Sequence, residues 1–219
     1  MNELVNCNCI DYMATMQNDS VDLILTDIPY GGVNRETNGL RELDKGDADI
    51  MTFDLPTFIS ECYRVSKGTI IIFCGQGQLS EIFTYYEQKQ GTTRQLIWNK
   101  TNPSPMNGEH IYLSGIENAV WFRKPNATFN AFCKNTVFSY PAGTSEMHPT
   151  EKNHQLLQEL ITDNSNYGDI VFDPCAGSGS TLLVAYKLGR IFLGCELKSK
   201  YYKPAKERLE IEQSQTRLF

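Results

Sequence analysis

The sequence predicts a doubly wound α/β fold, a mostly parallel sheet with helices on both faces. Three observations carry this expectation. Strand-like runs alternate with helical patterns, several runs are apolar throughout, and two end in turns built from acid, proline and glycine. In chain order, "DLILT" (22–26) reads as a strand. "LPTFISECYRVS" (55–66) reads as a helix, because Phe58, Ile59, Cys62 and Val65 recur at helical spacing. "TIIIF" (69–73) is a strand covered on both faces. A helix near 78–88, strands near 95–98 and 117–122, and a helix near 150–162 carrying Leu156, Leu157, Leu160 and Ile161 follow. The chain then gives "DIVFD" (169–173) as strand, "STLLVAYKLG" (180–189) as helix closed by Gly189, and "RIFLGCE" (190–196) as strand. Residues 201–219 read as a polar terminal helix that frays. Residues 31–53 and 124–147 break the alternation as long loop insertions, the kind that are functional or disordered when they occur inside a compact domain.

The chain has 219 residues, enough for a single domain over 1–219 with a substantial core. With 41% hydrophobic and 21% charged residues it has a globular composition, and no apolar run is long enough to cross a membrane. The first twenty residues lack a basic start and an apolar block, so no secretory signal is expected. Seven cysteines scattered through apolar segments fit reduced thiols in a cytoplasm. Cys7 and Cys9 have no second Cys/His pair at ligand spacing, so no metal is expected. A net charge of −6 argues against indiscriminate nucleic-acid binding but leaves room for a local basic face.

Ligands of open α/β sheets sit beyond the carboxyl ends of strands. One conspicuous turn of that kind is "DPCAGSGST": Asp173 ends a strand, and Cys175, Ala176, Gly177, Ser178 and Gly179 lead into a helix. Paired glycines let backbone approach a ligand closely, and the helix start supplies free amides. The Gly-Lys-Ser/Thr of a phosphate-binding loop is absent. Glu196 ends the next strand, where an acid can accept both hydroxyls of a ribose. Loop and acid together point to a nucleoside-bearing cofactor without a phosphate tail, a description S-adenosylmethionine fits. "CGQGQ" (74–78) is a weaker glycine signal and reads as a plain strand-to-helix turn.

The other turn is "DIPY" (27–30). The exocyclic amine of adenine or cytosine is a poor nucleophile, because its lone pair is delocalised into the ring. Acceptors aimed at both amine hydrogens favour the pyramidal nitrogen that attacks a methyl group. The Asp27 carboxylate can be one acceptor and the backbone carbonyl of Ile28 the other, with Tyr30 offering a face for an extruded base.

On these residues "DIPY" resembles the Asp-Pro-Pro-Tyr motif of DNA amino-methyltransferases, and "FDPCAGSGST" resembles their S-adenosylmethionine motif. The catalytic motif comes first, as in the permuted beta group of that family. "WNKTNPSPMNG" (98–108), "ENAVWFRKP" (117–125) and "HPTEK" (148–152) resemble the group's remaining segments, so the likeness covers about residues 3 to 210. The resemblance implies a seven-stranded Rossmann-like sheet with circularly permuted motif order. It implies methyl transfer from S-adenosylmethionine to DNA, with Asp27, Ile28, Pro29 and Tyr30 at the catalytic corner. His148, Thr150 and Lys152 would help close the cofactor pocket. Asn8, standing in "CNC" where the group often has Gly-Asp-Cys, would touch the adenine edge. Ile28 departs from the family's first proline, which loses the φ lock and adds an N–H donor.

An acid in the first motif position resembles the adenine-N6 members more than the cytosine-N4 members. The alternatives are cytosine N4, an RNA amine, a protein glutamine amide, or a non-catalytic nucleotide-binding module. DNA recognition is expected to be shared between residues 31–53 and 124–147, helped by a second subunit in a homodimer, with Arg35, Arg41, Lys45, Lys124 and Lys134 as candidate phosphate contacts. The last five residues, "QTRLF", resemble the Gln-x-x-Leu-Phe peptide that bacterial replication proteins dock on the sliding clamp.

Overall fold

The computed structural model describes residues 2–30, 50–104, 108–110, 112–142 and 151–216. Strand β1 (Glu3–Val5) is followed by α1 (Cys9–Thr15) and β2 (Val21–Asp27). Next come α2 (Leu55–Val65), β3 (Ser66–Cys74), α3 (Gln76–Glu87), β4 (Thr92–Lys100) and β5 (Ile116–Arg123). The rest is β6 (Val137–Tyr140), α4 (His154–Asn164), β7 (Ile170–Asp173), α5 (Ser180–Lys187), β8 (Ile191–Cys195) and α6 (Ser199–Thr216).

The strands form one sheet in the order β1-β8-β7-β2-β3-β5-β4-β6. Among the described strands, β5 alone runs antiparallel to both its neighbours. The doubly wound, mostly parallel architecture is therefore as expected, with eight strands among the described residues rather than seven. Six of the eight match the strands read one by one from the sequence, and the other two are the edge strands: β1 is three residues long, and β6 lies inside the segment expected to be loop.

Alternation explains the continuous apolar runs. Leu23, Leu25, Ile71 and Phe73 face the core layer that includes α4 and α5, while Ile24, Ile70 and Ile72 face the layer with α1, α2 and α3. Asp54 caps α2 by accepting the Thr57 N–H at 3.0 Å, and a proline occupies its first turn. At Gly189 (φ +74°) the left-handed conformation ends α5, as the sequence suggests. Gly68 lies where β2 and β3 meet at a register shift, and a Cβ there would stand 1.9 Å from the Asp22 carbonyl oxygen. Gly68→Ala must push two central strands apart. It is expected to lower Tm by roughly 3–10 °C, the effect of 1–3 kcal/mol of overpacking in a chain of this size, readable by thermal melting.

The topology positions the site. β2 and β7 are neighbours, with Leu23 opposite Val171, and the chain winds away from this pair in both directions. That is the switch point where open sheets form a ligand crevice, and Asp27 and Asp173 end the two strands that flank it.

Candidate active site

One cleft at this switch point is lined by residues from both motifs: Asp27 to Tyr30 on one side, Asp173 to Ser178 and Glu196 on the other, and Cys7 to Cys9 at one end.

The glycine side is built around backbone amides. Gly177 (φ +51°) and Gly179 (φ +74°) take left-handed conformations that a side chain would strain, and Gly179 caps α5. Ala176 donates its N–H to the Cys195 carbonyl at 2.8 Å, tying the bend to β8. Glu196 accepts the Gly177 N–H at 2.9 Å and the Lys198 N–H at 2.7 Å, one on each carboxylate oxygen. Burial pushes the Glu196 carboxyl up, partly offset by those two amides. Each oxygen keeps a lone pair for a ribose hydroxyl. Asp173 accepts the Cys175 N–H at 3.1 Å and so braces the turn. Burial pushes its carboxyl up to about 7, against the restraining Cys175 amide. The Cys175 thiol is pushed well above its ordinary value by its contact with Cys9 and by burial, which makes it a neutral wall rather than a nucleophile. Ser178 shares a 3.0 Å hydrogen bond with Ser180. Asn8 uses its carbonyl oxygen to cap α1 through the Ile10 N–H at 2.8 Å, leaving its amide N–H groups as the donors it can offer the cleft.

The Asp27–Tyr30 corner accommodates the departure at Ile28. Its N–H, absent in a proline, is donated to the Phe73 carbonyl at 3.2 Å, and its side chain is 2% exposed within the core. The added donor is spent in the sheet, so the site gains no orphan group. Gln78 donates to the Pro29 carbonyl at 2.8 Å while accepting the Gly75 N–H at 2.8 Å. A Cβ at Gly75 would stand 3.1 Å from Tyr30 Cβ. The "CGQGQ" turn is the strand-to-helix turn expected, and it also backs the Asp27–Tyr30 turn.

Charged groups meet behind Asp27. Lys152 Nζ lies 2.7 Å from Asp27 Oδ2 and 2.5 Å from Glu117 Oε2, and donates to the Tyr30 hydroxyl at 3.2 Å. Tyr30 donates to Glu117 Oε2 at 3.0 Å, and Lys100 Nζ is 2.6 Å from Glu117 Oε1. Burial pushes the Glu117 carboxyl up, yet the ammonium groups of Lys152 and Lys100 outweigh it and hold that carboxyl at about 2. Asp27 goes the other way: burial raises it, only partly countered by Lys152, with Glu117 adding to the rise. Asp27 Oδ1 is buried with no hydrogen-bond partner among the described residues.

The sequence marks Lys152 for the cofactor pocket, and the structure puts its ammonium beside Asp27 and Tyr30 in the shared cleft. Its neighbour Glu151, not singled out by the motif reading, goes to the other half. It accepts from Ser180 Oγ at 2.6 Å, at the start of α5, and lies 2.8 Å from Arg208 Nη1. Two consecutive residues thus stitch the two halves of the cleft together. His148 and Thr150 lie outside the described residues, as do Arg35, Arg41 and Lys45. Glu117 and Lys100 were also missed; the available signal was a lone acid at the mouth of an apolar strand and a lysine ending the strand beside it.

Lys124 and Lys134 are not brought to this cleft. β5 is antiparallel, so Arg123 pairs with Thr69 near the start of β3 and the chain leaves at the end of the strands opposite the cleft. Eight strand residues separate the two ends, about 25 Å. There Lys124 pairs with Asp19 at 2.8 Å and Lys134 with Asp163 at 2.7 Å. β6 then returns the chain to the cleft end, beside the end of β4.

A family model described as DNA methylase matches residues 21–137 and 130–207. The Type II methyltransferase M.HinfI of Haemophilus influenzae is 30% identical, aligned over 95% of this chain and 68% of its own length. The Type II methyltransferase M2.DpnII of Streptococcus pneumoniae is 28% identical over 95% of this chain and 90% of its own. Among solved structures, the M1.HpyAVI–SAM complex superposes with a TM-score of 0.73 at 27% identity, covering 95% of this chain and all of the other. The cytosine-N4-specific PvuII DNA methyltransferase shares the fold, with a TM-score of 0.74 at 14% identity, covering 98% of this chain and 92% of the other.

Proposed function

This chain belongs to the DNA methylase family, and from that premise we propose that it transfers a methyl group from S-adenosylmethionine to the N6 amine of an adenine extruded from DNA. The observation that carries the reading is the shared cleft: Asp27 and the glycine bend end adjacent strands and line the same space. The residues fit the cofactor, because left-handed Gly177 lines the cleft without a side chain and Glu196 has lone pairs for its ribose, while Gly179 starts α5 with its missing side chain facing Ala205 and Leu209 of α6. When bound, the cofactor supplies an electrophilic methyl group on a sulfonium.

The chain's own residues do the rest. The Asp27 carboxylate accepts one amine hydrogen and the Ile28 carbonyl the other, drawing the nitrogen out of conjugation. Pro29, its carbonyl held by Gln78, keeps those acceptors in place, and Tyr30 presents its ring to the base. Asp27, an acid in the first motif position, supports adenine over cytosine. Transfer of labelled methyl to DNA followed by nucleoside analysis tests the reading. N6-methyladenine is expected, N4-methylcytosine would replace the base assignment, and label found only in RNA or protein would overturn it.

Recognition falls, in our reading, to residues 31–53 and 124–147, shared between the two segments. Exchanging them without changing the methylated sequence would refute this. We further propose that two copies associate on DNA, checked by light scattering with a target duplex. Docking of the QTRLF tail on a sliding clamp is abandoned if the tail peptide shows no binding at high micromolar concentration. A cytoplasmic location is in keeping with seven free cysteines.

A further inference from the structure

We infer that Lys152 is a positioning residue for the catalytic carboxylate, and that Glu117, itself held by Lys100, fixes Lys152 for that task. The inference rests on the proposed transfer to a base amine. An ammonium has three N–H donors, and Lys152 has three acceptors inside the protein: Asp27 Oδ2, Glu117 Oε2 and the Tyr30 hydroxyl. It is 8% exposed, and its Nζ also lies 4.8 Å from the Phe73 ring centroid and 5.7 Å from that of Trp98. A lysine so enclosed is committed to the wall of the site rather than to a ligand. One partner of that wall is the carboxylate that must accept an amine hydrogen, so the ammonium sets both its orientation and its charge.

The groups around Asp27 define how its charge is controlled. Lys152 comes from the segment before α4, Glu117 from β5, Tyr30 from the catalytic turn, Cys74 from β3 and Asp173 from β7, with Lys100 behind Glu117. Among these, Lys152 is the cation bonded to Asp27, and Glu117 is an anion that opposes its ionisation. Removing the ammonium favours protonated Asp27, so ionisation, and with it activity, moves to higher pH. Removing the Glu117 charge acts in the opposite sense.

The test is the pH dependence of kcat in Lys152→Met, Lys152→Arg and Glu117→Gln, with cofactor affinity measured by calorimetry. Lys152→Met is expected to lose about 10²-fold in kcat at neutral pH, to shift the acid limb up by about 1 unit or more, and to bind cofactor as the wild type does. Lys152→Arg is expected to keep the limb in place, and Lys152→Met/Glu117→Gln to shift it less than Lys152→Met alone. If Lys152→Met does not fold, Glu117→Gln carries the test, with its limb moving down in pH. A limb unmoved in Lys152→Met, or a weakened cofactor affinity with unchanged kcat, would overturn the inference and return Lys152 to the cofactor pocket. Carbon-13 NMR titration of the Asp27 carboxyl reads the same shifts without substrate. A wild type that methylates no DNA would therefore defeat the proposed function while this titration still decided the role of Lys152.

Discussion

Asp27→Ala is expected to lower kcat by about 10³-fold or more, with cofactor affinity close to wild type. The magnitude follows from the place of the lost group: removing one preorganised partner of a reacting centre costs 10²–10³-fold, and Asp27 also anchors Lys152 at 2.7 Å. Folding should survive, because Lys152 keeps its contact with Glu117 and Lys100 still neutralises the far oxygen of that carboxylate. Asp27→Asn should lose less, since the amide retains one acceptor but gives up the charge that Lys152 complements. Single-turnover transfer with labelled cofactor, set against calorimetric binding, separates chemistry from affinity. Wild-type-like turnover in Asp27→Ala would remove the mechanism.

Glu196→Ala should do the reverse, weakening cofactor binding by about 10- to 100-fold while leaving kcat at saturating cofactor near wild type. Hydrogen bonds to a charged group contribute roughly 1.5–3 kcal/mol, and tenfold in affinity corresponds to about 1.4 kcal/mol. The residue holds the Gly177 amide on one oxygen and the Lys198 amide on the other, so its loss also loosens the bend that frames the nucleoside. Glu196→Gln should fall between the two, because its amide nitrogen would face a backbone N–H that needs an acceptor. Equilibrium binding of S-adenosylmethionine checks both variants, and unchanged affinity in Glu196→Ala would mean the ribose lies elsewhere.

The sequence made the strand ends legible because they are local. An apolar run that stops on acid, proline and glycine announces a turn at a sheet edge, and both motifs are of that kind. Adjacency of those turns was legible only through motif order; no local signal states that β2 and β7 are neighbours. Strand direction was hidden altogether. β5 has the same apolar run whichever way it points, and its reversal carries Lys124 and Lys134 to the far end of the strands. The two edge strands and α1 were too short for periodicity to show, α1 burying only Cys9 and Met13. The charge network was illegible for another reason. Lys100 ends β4 and Glu117 lies just past the fifteen-residue connection to β5, Lys152 comes from a different segment, and ion pairing between them depends on the fold.

A crystal structure with S-adenosylmethionine bound tests the central claim most directly. The account predicts the ribose on Glu196 and the sulfonium methyl turned towards Asp27, within roughly 6 Å of its carboxylate. That span is an attack distance of about 3–3.5 Å plus one amine hydrogen bond. A cofactor whose methyl group points away from Asp27, or one seated outside the cleft between β2 and β7, would contradict it.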